Sequence, residues 1–350
     1  MLFRSREAAP ATFAYFASQG VSVRVISGDN PVTVSEVAHR AGIDGAENWV
    51  NTETLETDAD FDNAVKTYTV FGRVTPDKKK QLIRAFKRAG HTVAMTGDGV
   101  NDVLAMKEAD CGIAMASGAQ AASQIAQLVL LDSDFSAIPS IVGEGRRVIN
   151  NIQRAATLFL VKNIFSLALS IITLFTNWPY PIVPLHLSMI SALTIGVPSF
   201  FLAMEPNYER VQGRFLPSVL RRALPGGLTN VCLVLACQAF RILLNLTAAQ
   251  TATVCAAILG VVGLLVLLQV CRPFDRFRSV IWIAMAVLLL GAFLVLGGIL
   301  GFELGTWQSV LVLIVMLIMA PIVFFTIGYL FDLAGYGLSR LKAKFSRKKK

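Results

Sequence analysis

The sequence Thr92-Val-Ala-Met-Thr-Gly-Asp-Gly-Val-Asn-Asp102 sets a short apolar run directly before a loop that carries two carboxylates. Residues 92–96 predict a buried strand, and the two glycines of the loop allow a tight turn at its end. Asp98 and Asp102 stand four residues apart after that strand. Mg²⁺ is bound in proteins through one or two such carboxylates together with a substrate phosphate. The stretch therefore predicts a strand-to-helix turn that holds magnesium.

Strands and helices alternate on both sides of this stretch. Further strands are predicted at residues 21–26, 69–74, 111–115 and 128–131, with helices at 31–41 and 77–89. This alternation is typical of a parallel, doubly wound α/β sheet, in which ligands bind at the carboxyl ends of the strands. Residues 44–63 are acidic and polar, and we expect them to form an exposed connection.

Two other polar motifs also follow predicted strands. Ser27-Gly28-Asp29 stand before a helix, where a hydroxyl and a flexible glycine favour a phosphate-binding corner, and where a simple helix cap is an equally good interpretation. Arg73 opens the run Arg-Val-Thr-Pro-Asp-Lys-Lys-Lys. One of its lysines is expected to neutralise charge on a phosphoryl group, whereas the others would form a solvated helix face.

Charge and hydropathy separate the chain into two parts. Of its 350 residues, 54% are hydrophobic and only 16% are charged, which is far from the composition of a soluble domain. Residues 1–150 carry a net charge of −3 and residues 151–350 a net charge of +12, so the excess positive charge lies among the apolar segments. This distribution favours a membrane protein and argues against a nucleic acid as a partner. The five cysteines lack metal-ligand spacing.

Six apolar segments are long enough to cross a bilayer, which takes about 20 helical residues. They are predicted near residues 155–176, 182–204, 224–246, 251–270, 280–300 and 307–331. The loops at 177–181, 247–250 and 301–306 contain no Lys or Arg, whereas the opposite loops and the tail at 332–350 are rich in both. Basic loops remain in the cytosol, so residues 1–150, both termini and the basic tail are predicted to be cytosolic. We expect the tail to set topology and to contact anionic lipids rather than to serve a specific regulatory role.

The motif order resembles that of the P-type ATPases. Ser-Gly-Asp at 27–29, Arg73 to Lys80, the loop at 96–102 and the string Glu-Gly-Arg-Arg-Val-Ile-Asn-Asn-Ile at 144–152 follow one another and lead into an apolar span. The resemblance covers residues 8–206 with high specificity, and the last four spans match in number and topology only. It implies that residues 1–150 are the carboxyl-terminal part of a haloacid dehalogenase-like phosphorylation domain, followed by a membrane domain at 151–331.

The resemblance also implies roles for individual residues. Asp98 would coordinate the catalytic Mg²⁺ together with Asp102. Asn101 and Asp102 would organise the phosphoryl site, and Lys79 would contact the aspartyl phosphate. The side of the site that holds ATP would be lined by Ser27, Gly28, Asp29 and Arg73. Ser27 stands where the family more often has Thr.

One family motif is not in the sequence. The nucleophilic Asp of a DKTGT motif forms the acyl phosphate in this family, and no DKTG string occurs here. The actuator domain, the nucleotide-binding domain and the first four spans of such a pump would precede residue 1. We therefore expect the chain to be a carboxyl-terminal fragment that alone neither hydrolyses ATP nor forms a phosphoenzyme.

The first two predicted spans would hold part of a transport path. Its candidate residues are polar groups within apolar sequence, together with a proline that breaks the second span: Lys162, Asn163, Ser166, Ser191, Thr194 and Pro198. A lysine in hydrocarbon is costly and is expected to face a cavity or a partner, unless it reaches the membrane surface. Neither predicted span contains an acidic residue, although calcium sites usually include carboxylates.

We expect the chain to belong to a pump for an inorganic cation, with calcium preferred over others, in a bacterial cell membrane. Two alternatives stay open: a phospholipid flippase of the same superfamily, and a catalytically silent chain that binds Mg²⁺ and phosphate without turnover.

Overall fold

The computed structural model of the chain describes residues 9–176, 178–211 and 213–347. The chain forms two compact units, one that ends at Gly143 and one that begins at Glu144. Within the described residues, the first unit contains the strands and the second contains helices that are long and apolar.

Six short parallel strands of the first unit form two sheets. The first sheet has the order β1 (Val25–Ile26), β3 (Val70–Gly72), β2 (Trp49–Asn51), and the second has the order β4 (Ala94–Gly97), β5 (Cys111–Met115), β6 (Leu128–Leu130). Every described pairing is parallel. The predicted α/β class with parallel strands is confirmed, but the strands form two three-stranded sheets where a single sheet was expected.

Some helices of the first unit begin at side-chain caps. They are α1 (Ala9–Ser18), α2 (Pro31–Arg40), α3 (Asp58–Thr67), α4 (Pro76–Arg88), α5 (Val103–Glu108) and α6 (Gln120–Ile125). Both α2 and α4 start with proline, and the side chains of Asn30 and Thr75 accept hydrogen bonds from the first turns of these helices. A proline at this position costs no hydrogen bond and has the φ angle of a helix already.

The expectation that residues 44–63 form an exposed connection is wrong. This segment contains β2, a 3₁₀ turn at Thr52–Thr54 and the start of α3. Phe61 of α3 is only 1% exposed and packs in a core with Phe71 and Leu82. The acidic residues misled the prediction because some of them cap a helix: Thr57 and Asp60 form a reciprocal capping box at the start of α3.

The edges of β1 and β4 border a cavity of about 610 Å³. Its lining includes Ile26, Phe86 and Met95. The N–H groups of Val25 and Ser27 donate to carbonyls of the β3 segment, and alternate residues of a parallel strand point to opposite sides. The N–H of Ile26 therefore faces away from β3, at the free edge of its sheet.

The second unit contains the apolar helices. They are α7 (Ile138–Thr176), α8 (Pro184–Ser191) with α9 (Val197–Met204), α10 (Phe215–Leu244), α11 (Ala248–Val270), α12 (Arg276–Val295) and α13 (Trp307–Arg347). Among the described residues, six spans are long and apolar enough to cross a membrane, as predicted, with α8 and α9 forming one of them. Helix α11 is the most buried of these, and its residues Val254, Ile258 and Val262 are fully enclosed by the apolar core.

Several helices extend beyond the predicted apolar spans. Helix α7 begins at residue 138, α10 begins at residue 215, and α13 continues to residue 347, through most of the predicted tail. The second span begins at Pro184, two residues later than predicted, and the fifth ends at Val295, five residues earlier than predicted. Hydropathy detects the apolar part of a helix, whereas Lys, Arg, Leu and Ala continue the helix outside hydrocarbon.

Three helical segments of the second unit are joined by a buried cluster of charges. The carboxylate of Glu205, directly after α9, accepts hydrogen bonds from Arg154 of α7 and Arg278 of α12, each at 2.7 Å. All three side chains are 7–8% exposed. The side-chain amide of Asn151 donates to the main-chain oxygens of Ala203 and Glu205 and holds the same turn.

Replacing Glu205 by Gln is expected to destabilise the chain by about 3–5 kcal/mol, because two buried guanidinium groups lose their counter-charge. The free energy of unfolding of the purified chain in detergent measures this change. Asp332→Asn is the matched control, since Asp332 pairs with Arg221 where both side chains are more than half exposed. That variant should cost no more than about 1 kcal/mol. Equal losses for the two variants would contradict the assignment of the buried cluster as a structural tie.

Candidate functional site

The loop after β4 is held in shape by one of its own carboxylates. Asp102 is 8% exposed, and its Oδ2 accepts a hydrogen bond from the N–H of Gly99 at 3.3 Å. Gly97 is required here because a Cβ atom at that position would lie 2.4 Å from the Cβ of Asp102. The glycine and the aspartate of the motif are thus parts of one packed turn.

Lys79 of α4 completes this turn. Its Nζ lies 2.7 Å from Oδ1 of Asp102, and the two side chains are 12% and 11% exposed. The side-chain oxygen of Thr75 caps α4, and Pro76 opens it, which fixes the turn of helix that carries Lys79. A buried ammonium next to a buried carboxylate gives a pre-formed charge pair at the carboxyl end of β4.

The three consecutive lysines of α4 have different surroundings. The Nζ of Lys78 donates to the main-chain oxygen of Thr52 at 2.6 Å and holds the 3₁₀ turn. Lys79 contacts Asp102, whereas Lys80 has no side-chain partner among the described residues. Among the described contacts of these three lysines, only that of the middle one reaches the loop at 97–102.

Asp98 and Asn101 lie exposed on the same loop. The main-chain oxygen of Asp98 accepts a hydrogen bond from Ala119 at 2.6 Å, and a Cβ at Gly118 would lie 2.4 Å from that oxygen. The backbone is therefore fixed while the Asp98 carboxylate has no partner among the described residues. The sequence prediction missed this support from residues 118 and 119, because a single Gly-Ala pair between two strands carries no distinct signal.

The donor set at this loop fits Mg²⁺. The free carboxylate of Asp98 and the carboxylate of Asp102 are hard oxygen ligands, and Mg²⁺ usually keeps several waters and needs few protein ligands. Asp102 already accepts hydrogen bonds from Lys79 and Gly99, so Asp98 is the carboxylate whose oxygens are free to coordinate a metal ion. No cluster of three or more His, Cys, Asp or Glu that could hold a metal occurs among the described residues.

The second group of predicted residues meets at the ends of β1 and β3. The N–H of Arg73 donates to the main-chain oxygen of Asp29 at 2.8 Å, and the N–H of Val74 donates to that of Ser27 at 3.0 Å. The Ser27 hydroxyl donates to the Asp29 carboxylate at 3.2 Å and accepts a hydrogen bond from the Asp29 N–H at the same distance. Arg73 has a φ of +53°, in the left-handed region, and its side chain is exposed.

These two groups are connected by one segment. Residues 70–79 run from β3 through Arg73 into α4. Arg73 of this segment contacts the Ser27–Asp29 loop, and Lys79 contacts Asp102. The structure thus brings Arg73 together with Ser27, Gly28 and Asp29, and brings Lys79 together with Asp98, Asn101 and Asp102.

In the second unit, three predicted transport residues line one small cavity. Lys162 of α7, Ser191 of α8 and Thr194 lie around a space of about 40 Å³. Residues Ala192–Gly196 form a π-helical turn there, ahead of the buried Pro198. Such turns interrupt the regular hydrogen-bond ladder and often occur at functional positions. Asn163, Ser166 and Pro198 are not part of this lining.

Asn230 of α10 lines the same cavity and was not predicted. It is 4% exposed, and its Oδ1 has no hydrogen-bond partner among the described residues. A buried, unpaired amide oxygen is unusual and suggests that a ligand or a water completes the site. Thr194, by contrast, already donates to the main-chain oxygen of Ile190 at 2.8 Å. A single Asn within an apolar helix gives no distinct sequence signal, and the third span lies outside the part of the chain that the resemblance covers with high specificity.

Comparison with known proteins places the two units in one family. Residues 4–110 match the family model described as haloacid dehalogenase-like hydrolase. The chain is 41% identical over 287 residues to a probable cation-transporting ATPase, exp7, of Streptococcus pneumoniae, which covers 79% of this chain and 37% of that protein. It is 42% identical over 290 residues to the calcium-transporting ATPase CtpE of Mycolicibacterium smegmatis, covering 79% of this chain and 36% of that protein.

The chain thus spans little more than a third of the length of these relatives. A solved structure of the catalytic domain of the CPx-ATPase CopB-B matches 39% of this chain and 44% of that chain at 22% identity, with a TM-score of 0.31. The sequence matches cover 79% of the chain and are longer than either unit, so they include residues of both. Together with the haloacid dehalogenase-like match, the parallel sheets and the six apolar spans, they establish that the chain belongs to the P-type ATPase family.

Proposed function

We propose that this chain supplies the magnesium- and phosphate-binding region and six membrane spans of a pump that uses ATP to move an inorganic cation across a membrane. The observation that carries the proposal is the buried pair of Lys79 and Asp102, set beside the free carboxylate of Asp98. The matches to two cation-transporting ATPases, which extend over 79% of the chain, support it.

In the proposed reaction, each residue of this site has a distinct task. A bound Mg²⁺ would withdraw charge from the phosphoryl oxygens, with Asp98 as its main protein ligand and Asp102 as a second. Lys79 would place a fixed ammonium next to the phosphoryl group, where it stabilises the charge that develops during transfer. Asn101 is an exposed donor on the same loop and would orient the phosphoryl oxygens.

The group at 27–29 and 73 is proposed to hold ATP. Asp29 and Arg73 are exposed, and their backbones are tied together by the hydrogen bond from Arg73 to Asp29. When the backbone of an arginine is fixed, its guanidinium can donate two parallel hydrogen bonds to phosphate oxygens at little further cost in entropy. Ser27 and Gly28 would form the turn that lets the nucleotide approach the backbone.

A further polypeptide segment is proposed to complete the first unit. The cavity between the edges of β1 and β4 is lined by apolar residues such as Ile26 and Phe86 and by polar ones such as Arg24, and the N–H of Ile26 points toward it. A strand inserted there would join the two three-stranded sheets and would pair with both edges. We propose that this strand carries the phosphorylated Asp, and that the segment also brings actuator and nucleotide-binding domains and four further spans.

The cavity beside Lys162 is proposed as part of the transport path, together with Asn163, Ser166 and Pro198 nearby on α7 and α9. Calcium is the preferred cation because one of the relatives is named a calcium-transporting ATPase. The chain offers neutral oxygens there, from Ser191, Thr194 and Asn230, so the carboxylates that calcium favours would come from the additional spans. The first unit and both termini are proposed to lie in the cytosol of a bacterium.

Phosphorylation tests the site directly. The chain alone is expected to incorporate no acid-stable phosphate from γ-labelled ATP and Mg²⁺. Mixed with the part of the Streptococcus pneumoniae relative that lies outside the match, it should support labelling of that part. Labelling of the isolated chain would contradict its predicted inactivity, and a folded mixture that stays unlabelled would contradict the proposed function.

Substitutions of two neighbouring lysines test in the same assay whether Lys79 acts in the site or only contributes charge to the helix. Lys79→Met should lower the phosphoenzyme level by at least about tenfold, because the ammonium that faces the phosphoryl group is lost. Lys80→Met is the matched control, since Lys80 lies on the same helix without a side-chain partner and should leave labelling unchanged. Similar losses in both variants would remove Lys79 from the mechanism.

Lys162→Ala tests the transport path in the completed pump. It is expected to shift the cation concentration that half-activates ATP hydrolysis by about tenfold, which corresponds to about 1.4 kcal/mol, because a fixed positive charge leaves the cavity. Leu167→Ala on the same helix is the control, because Leu167 is 65% exposed and lies outside the cavity lining. An unchanged cation dependence would discard this role for Lys162, and stimulation by phospholipid instead of cations would favour a flippase.

A further inference from the structure

A second polar cavity, of about 390 Å³, lies where α7 and α10 end. It is lined by Trp178 and Pro179, which follow α7, and by Gln238, Arg241 and Asn245 at the end of α10, with two apolar neighbours. The proposed reaction uses none of these residues. The first and third spans run in the same direction, so their carboxyl ends reach the same surface of the membrane.

Arg241 is the unusual member of this lining. It is half-buried, and no carboxylate lies within 4 Å of it in the part of the chain that the structure describes. The next residues along α10, Ile242 and Leu243, are 66% and 75% exposed and apolar, as expected of positions that face lipid. A long arginine side chain near the end of a span extends to the level of the headgroups, where an anionic ligand can supply its counter-charge.

Gln238 provides an independent sign of a missing ligand. It lies about one turn before Arg241 on α10 and is 4% exposed. Its side-chain nitrogen Nε2 has no hydrogen-bond partner among the described residues. Buried amide groups are nearly always paired, so the orphaned group implies that a bound molecule or a water completes it.

The chemistry of the lining favours an anion. Arg241, Gln238, Asn245 and the indole of Trp178 all offer N–H donors, and the lining holds no Asp or Glu. A guanidinium presents a planar fork that matches a phosphate group. Trp178 and Tyr180 are both partly exposed in the segment after α7, and such aromatic side chains favour the level of the lipid headgroups.

We propose that this cavity binds the phosphate of a phospholipid headgroup, in the leaflet that α10 reaches at its carboxyl end. The acyl chains then lie along the exposed apolar face that includes Ile242 and Leu243. Arg241 pairs with the phosphate, and Gln238 and Asn245 donate hydrogen bonds to its oxygens. This site is separate from the cavity beside Lys162 and does not depend on the proposed transport function.

Native mass spectrometry of the purified full chain tests the proposal. The probe is dioleoyl phosphatidylglycerol, compared with dioleoylglycerol, which has the same acyl chains and no phosphate. Wild-type chain should retain the phospholipid and not the diacylglycerol. Arg241→Gln should weaken binding of the first lipid by about tenfold or more, because a charge-assisted hydrogen bond to phosphate is lost.

Matched variants keep the result interpretable. Arg222→Gln removes an exposed arginine near the other end of the same helix and should leave the first binding event unchanged. Arg241→Lys keeps the positive charge but not the planar guanidinium, so its affinity for the phospholipid should lie between those of wild type and Arg241→Gln. It also provides the comparison with wild type if the glutamine variant fails to fold. Equal affinities of wild type and both Arg241 variants would overturn the proposal. So would equal retention of diacylglycerol, or displacement of the lipid by excess inorganic phosphate, which would point to a free anion.

Discussion

The main constraint on the first unit is that parallel strands must pair their backbone N–H and C=O groups. Two three-stranded sheets leave the edges of β1 and β4 free on either side of a cavity. The polar residues of the candidate site follow β1, β3 and β4, so two of the three strands that position them, β1 and β4, are also the strands with a free edge. A strand that joined the two sheets would satisfy the backbone and would bring its own carboxyl end to the site.

Charges organise both units, but in different ways. The ion pair of Lys79 and Asp102 orients a loop on which Asp98 stays free to bind a ligand. In the second unit, Glu205 neutralises two arginines and ties α7 and α12 to the turn after α9. Buried pairs of this kind contribute little net stability and are costly to break, so they fix geometry more than they add to the free energy of folding.

The sequence predicts the local turns better than the extent of the elements. The motifs at 27–29, 73–80 and 96–102 were placed correctly because glycine, proline and capping residues determine turns locally. The strand β2 and helix α3 were missed because their stability comes from buried contacts such as that of Phe61, which the polar composition conceals. Asn230 and the pairing of Glu205 depend on helices distant in sequence, and no local pattern reveals which helices will meet.

Hydrogen exchange at the amide of Ile26 tests most directly whether the cavity between β1 and β4 takes a strand. The chain would be measured alone and with the part of the Streptococcus pneumoniae relative outside the match, in the same detergent. The account predicts that this amide exchanges readily in the isolated chain and becomes strongly protected in the mixture, along with amides of β4. Unchanged exchange at both edges in a mixture that has formed a complex would contradict it.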